Sequence, residues 1–185
     1  MKKLLAIAIS LSLVCSFSTV VLAENTTVLT TTVPDATYTL NIPADQEIPF
    51  GSTSANIGTI TVTDSAGFAD GKDLQVTLTY DPFKADGIST TIPYTVYKVA
   101  TIQEQMGNTT VKRDSETAVN SGGFLTFRGQ SGGAVDEEFD YFDTSTVLDR
   151  NRLRIKASSE DWGKALAGEY SSTITFTAEV VVSEP

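Results

Sequence analysis

From Leu74 to Tyr80 the chain alternates apolar and polar side chains without a break. Leu74, Val76, Leu78 and Tyr80 hold one parity, and Gln75, Thr77 and Thr79 hold the other. A period of two places all the apolar groups on one face of a pleated strand, whereas a helix would scatter them around its circumference. The same period recurs at Tyr38, Leu40 and Ile42, and at Ile60 and Val62. It returns at Ile92, Tyr94 and Val96, where Pro93 marks a strand start or a sheet edge. Phe124 to Phe127 and Leu153 to Ile155 are shorter candidates, and the longest run joins Tyr170, Ile174, Phe176, Val180 and Val182 on one parity, with Ser172 and Ala178 in the gaps. Asp70-Gly71, Asp86-Gly87, Ser121-Gly122-Gly123 and Ser131-Gly132-Gly133 separate these runs with residues that tolerate positive φ. The one helical candidate is Ser159 to Leu166, capped by Ser159 or Asp161 and ended by Ala167-Gly168. The pattern predicts an all-β chain: a single antiparallel β-sandwich, Ig-like or jelly-roll-like, with one short helical turn near 159–166. The strand from Tyr170 to Val182 is expected to be central in one of two sheets.

The first 23 residues read as an export signal rather than as structure. Lys2 and Lys3 supply a positive start, Leu4 to Val14 is apolar but short for a membrane span, and Val21-Leu22-Ala23 suits a signal peptidase. Cleavage after Ala23 removes the one cysteine, Cys15, which follows the poorly suited Val14 for lipidation. The exported domain then has no disulfide and must be held by its core and hydrogen bonds. Three segments are expected: a signal peptide at 1–23, an extended arm or edge strand at 24–33, and the sandwich at 34–185. The arm is threonine-rich, with Val28, Leu29 and Val33 as its apolar anchors. No later stretch reaches membrane-spanning length, so the mature chain is expected to lack a transmembrane segment.

Charge and composition narrow the functional classes. The chain has no histidine, which removes Ser-His-Asp and Cys-His catalysis and every His-ligated metal site. Its formal charge of −10 becomes −12 once Lys2 and Lys3 leave with the signal. That field opposes nucleic acid and anionic surfaces. No nucleic-acid partner, no cofactor and no enzymatic activity are expected.

Two constellations merit attention. Asp136, Glu137, Glu138, Asp140 and Asp143 crowd five carboxylates into eight positions, interleaved with Phe139, Tyr141 and Phe142. Such a stretch is either a solvated acidic loop with its aromatics folded inward or a calcium ligand set, although its spacing fits no calcium-loop pattern and lacks the central glycine. Trp162, with Phe139 and Tyr141, is the candidate aromatic platform for a sugar ring, against the alternative that its indole plugs the end of the sandwich. Arg150, Arg152 and Arg154 share one parity opposite Leu153 and Ile155, which predicts a solvated face able to meet a nearby acidic loop.

Trp162, the turn Ala167-Gly168-Glu169-Tyr170 and the strand Ser171-Ser172-Thr173-Ile174-Thr175-Phe176-Thr177 resemble the closing segment of many bacterial secreted surface proteins. Tyr38-Thr39-Leu40-Asn41-Ile42-Pro43 is similar to their opening strand. The nearest named group is the WxL-type cell-surface domain of Gram-positive bacteria, whose members bind the cell wall non-covalently. Here Gly163-Lys164 follows Trp162 in place of x-Leu, and Phe176 stands where the distal tryptophan would be. The resemblance implies a bacterial surface β-sandwich. Together with the export signal, it leads to the expectation of a secreted, non-enzymatic surface protein with a structural or adhesive role: pilin-like, matrix or cell-wall-associated. Its partners would be other surface proteins, further copies of itself, or cell-wall or host glycans. Strand addition through the arm at Thr26 to Val33 is the simplest route to assembly. A carbohydrate-binding β-sandwich module is the competing expectation.

Overall fold

Alternation becomes burial in the strand where it is clearest. In the computed structural model, which describes residues 35–68, 71–106, 109–136 and 147–182, Leu74, Val76 and Leu78 are fully buried. They belong to β4 (Lys72–Tyr80). Before it lie β1 (Thr37–Asn41), β2 (Ser54–Thr59) and β3 (Thr61–Ala66). After it come β5 (Phe83–Ala85), β6 (Ile88–Ile92), β7 (Tyr94–Met106), β8 (Thr109–Val119), β9 (Phe124–Arg128) and β10 (Val147–Ala157). A short helix, α1 (Ser159–Lys164), precedes the last strand, β11 (Ile174–Val182). All the pairings among these strands are antiparallel. The described residues thus form an all-β fold with one short helix.

Two sheets carry the core. One has the order β2-β10-β7-β8 and the other β11-β4-β9, while β1-β3 and β5-β6 form two-stranded additions. Leu74, Val76 and Leu78 of β4 and Leu125 and Phe127 of β9 share one apolar cluster with Val96, Val119, Leu153 and Ile155 of the other sheet. Ile57, Ile60, Val62, Phe68 and Val135 complete it. Removing this much apolar surface from water is the main stabilising contribution available to a domain with no disulfide. Tyr80 ties the sheets together: its hydroxyl donates to the Val119 carbonyl at 2.9 Å and accepts from the Val96 amide at 3.3 Å.

Several expectations need correction. β11 begins at Ile174 rather than Tyr170, and among the described residues it lies at the edge of its sheet, with β4 in the centre. Its strong alternation reflects one packed face, which an edge strand has as much as a central one. The helix is capped by Ser158, whose Oγ accepts from the Asp161 amide at 3.0 Å, and it ends at Lys164. Gly168 has no positive φ, so it does not supply a left-handed turn; its Cα faces the end of the Ile88 side chain. Tyr170 reaches back toward the helix, its hydroxyl accepting from the Leu166 amide at 3.2 Å.

The arginines also differ from the simple alternation. Between Asp149 and Arg152 the register of β10 against β7 shifts, with Asn151 buried at φ 66°. Asparagine tolerates this left-handed conformation better than most residues. The extra residue breaks the shared parity of Arg150 with Arg152 and Arg154.

Candidate functional site

A sheet edge offers a row of backbone donors and acceptors to any extended chain, so folded proteins usually obstruct their edges. Among the described residues, three of the four edges in the two main sheets are obstructed. β8 carries Lys112, Arg113, Asp114 and Glu116 along its length. β9 is only five residues long and ends in Arg128. β2 is interrupted by a register shift against β10, and Gly58, at φ 115°, lies against Pro43.

β11 is different. It pairs with β4 from Ile174 to Val182 in unbroken register, and among the described residues no strand lies on its other side. Its sequence, ITFTAEVVV, contains no proline and one charge, Glu179. Ile174, Phe176 and Ala178 pack against the core yet remain only partly buried. Val180 and Val182 continue their parity at 40% and 79% exposure. The apolar row along this strand therefore lacks part of its cover.

A cleft of about 360 Å³ opens beside the start of β11. Its apolar wall is Ile48, Ile57, Ile155, Ile174 and Phe176, and Asp45, Gln46 and Ser172 are among its polar residues. The cleft thus lies where the edge of one sheet (β11) faces inner-face residues of β2 and β10 in the other. Tyr94 helps to fix this end. Ser172 Oγ donates to the Asp81 carbonyl at 2.7 Å, so the Tyr94 hydroxyl is the donor in its own 2.7 Å contact with Ser172. Burial pushes the Tyr94 phenol up from its ordinary value, which keeps it protonated for that role. Phe83 and Tyr80 pack on the Tyr94 ring at centroid distances of 4.9 and 5.0 Å.

Trp162 stands behind this aromatic group. It is 7% exposed, its Nε1–H donates to the Ser52 carbonyl at 2.9 Å, and Phe50 meets it edge-on at 5.4 Å. An indole enclosed in this way offers no open face for a sugar ring. Of the acidic stretch, Asp136 is described: its amide donates to the Arg128 carbonyl at 2.9 Å and its carboxylate accepts from Gln130 Nε2. Glu137, Glu138, Phe139, Asp140, Tyr141 and Asp143 lie outside the described residues, as do Val28, Leu29 and Val33. Among the described residues, no group of three or more histidine, cysteine or carboxylate side chains converges on a point that would hold a metal.

Arg152 and Arg154 of β10 meet acids of β8 across β7. Arg152 donates to Asp114 at 2.9 Å and to Thr101 Oγ1 at 2.6 Å. Arg154 bridges Asp114 at 2.7 Å and Glu116, and Lys156 also reaches Glu116. Burial alone would raise both carboxyls, but hydrogen bonds from Arg154 and Arg152 hold Asp114 below its ordinary range. Lys156 and Arg154 do the same for Glu116. A carboxyl whose folded pKa lies below its unfolded value contributes stability that is complete above the unfolded value, about 4, and lost as pH falls through the folded one. The urea midpoint should therefore drop on acidification from pH 5 toward pH 2, and Asp114→Asn with Glu116→Gln should flatten that drop. An unchanged slope in the double variant would show that the ladder contributes nothing to acid sensitivity.

Two features of this site escape a reading of the sequence. Nothing in the alternation of Ile174 to Val182 says that one side of the strand is unpaired, and the cleft joins residues far apart in the chain. Comparison of the chain with protein-family models, with curated proteins and with solved structures finds no match.

Proposed function

We propose that this chain is a secreted, non-enzymatic bacterial surface protein with a structural or adhesive role, and that it works as a subunit associating through sheet edges. The observation that carries this reading is the contrast between edges: β8, β9 and β2 are obstructed, and β11 is long, regular and nearly uncharged. Edge obstruction is the usual protection of a monomer, so its omission on one strand fits a surface meant for strand addition. The export features of residues 1–23 and the resemblance of the closing segment to bacterial surface proteins support the location.

Sizing chromatography with light scattering on the mature chain tests the reading. Oligomers are expected with and without calcium, because strand addition relies on backbone hydrogen bonds and apolar contact. A monomer across the concentration range would overturn the subunit role. Oligomers that form only with calcium would transfer attention to the acidic stretch at 136–143.

A further inference from the structure

We infer that the open edge of β11, with the cleft at its start, is an acceptor groove whose occupant is the segment Thr26–Val33 of a second copy of this chain. The inference rests on the subunit reading and adds both the acceptor and the donor.

The groove sets requirements that the segment meets. β11 has nine residues, so its edge is about 27–30 Å long at the usual strand rise. After cleavage at Ala23, residues 24–33 precede the fold, and in extended form they span about 33 Å. Asn25 to Val33 carries no charge. A neutral segment is suited to approach another copy of a chain whose charge after cleavage is −12, where acidic surfaces repel each other. Threonine and valine dominate the segment, and both favour extended backbone.

The anchors match the apolar wall. Leu29 and Val33 are four positions apart, so an extended chain puts them on one face about 13 Å apart, with Thr31 between. Ile174, Phe176 and Ala178 are similarly spaced at every second residue and are the partly buried members of the core-facing row. A strand laid along β11 would bring Leu29 and Val33 over this row and continue the sheet by backbone hydrogen bonds. The path favours a second copy over the same one. The cleft wall includes Pro43, Ala44, Asp45, Gln46 and Ile48, which follow the C-terminal end of β1, whereas residues 24–33 precede its N-terminal end in the sequence.

The test uses the full mature chain. In Leu29→Asp with Val33→Asp, both changes lie ahead of the first described strand, so the fold should persist with an unchanged far-ultraviolet spectrum while the oligomers dissociate to monomer. Persistent oligomers in this variant would overturn the donor assignment and leave the subunit reading standing; a monomeric unmutated chain would overturn both. A photoreactive phenylalanine analogue at position 29, in a mixture of nitrogen-14 and nitrogen-15 protein, then locates the acceptor by mass spectrometry. Mixed-isotope crosslinks to the peptide holding Ile174–Val182 or to the cleft wall are expected. Crosslinks confined to one isotope would show that the segment folds back on its own copy, and crosslinks elsewhere would show another acceptor; either overturns the inference.

Discussion

Phe127→Ala is expected to lower the unfolding free energy by about 3–5 kcal/mol, the usual range for removing a large aromatic side chain from a packed core. Phe127 has no exposed surface, sits opposite Leu74 on the central strand β4, and shares the cluster with Leu153 of the facing sheet. The cost combines lost transfer from water with a cavity that neighbours on both sheets can only partly fill. Typical domains are stable by about 5–15 kcal/mol, so the variant should fold but melt at least several degrees lower. Phe124→Ala supplies the control on the same strand. Phe124 is 54% exposed, and its replacement should change stability by no more than about 0.5 kcal/mol. Equal losses in a urea titration would mean that β9 does not present its two phenylalanines to different environments.

That pair also marks what the sequence could disclose. Burial parity was legible wherever one face of a strand packs on the core, as in β4 and at Leu125 and Phe127 of β9. β8 was not legible. Its sequence, TTVKRDSETAV, buries Val119 and leaves most of its length exposed, so it has no hydrophobic period to read. What holds it is backbone pairing with β7 from Val96 to Met106 and the ion pairs of Asp114 and Glu116 with β10. Those partners become neighbours only when the chain folds. A short helix does precede the last strand, but its cap is Ser158, whose side chain reaches the Asp161 amide, rather than Ser159 or Asp161.

The candidate site was less legible for a related reason. Whether a strand is central or at an edge depends on what pairs beside it, and alternation reports only what lies above and below. The alternation of the last strand leads to the expectation of a central position in its sheet. The strand's apolar row is instead half covered, and the cleft beside it joins residues 43–48 with residues of β2, β10 and β11. Trp162 is the converse case. As the one tryptophan it invited a binding role, yet the Ser52 carbonyl and the Phe50 and Phe83 rings account for its position. Both cases turn on neighbours that alternation and composition do not report: the rings around Trp162 and the unpaired side of β11 among the described residues.

A matched pair of glycines gives the second large effect. Gly67 and Gly87 have nearly the same backbone, φ 77° and 72°, so an alanine at either one meets the same left-handed strain, about 1–2 kcal/mol. Their surroundings differ. At Gly87, in the β5–β6 turn, a Cβ would have nothing within 4 Å, whereas at Gly67 it would lie 2.6 Å from the Asp35 carbonyl oxygen and 3.1 Å from Ala36 Cα. Backbone atoms cannot rotate out of the way, so β1 must shift from β3, with which it pairs through Thr37 and Ala66. The neighbouring Phe68 is fully buried and would be disturbed as well. Gly67→Ala should therefore cost at least about 1 kcal/mol more than Gly87→Ala, measured by urea denaturation. If the two costs are equal, the close approach of residues 35–36 to Gly67 does not exist in solution. The pair also separates stability from assembly. The edge of β11 belongs to a different sheet from the β1–β3 pair, so Gly67→Ala should lower the melting temperature while oligomers persist below it. Loss of oligomers in a still-folded Gly67→Ala protein would mean that the anchoring of β1, rather than the groove along β11, controls association.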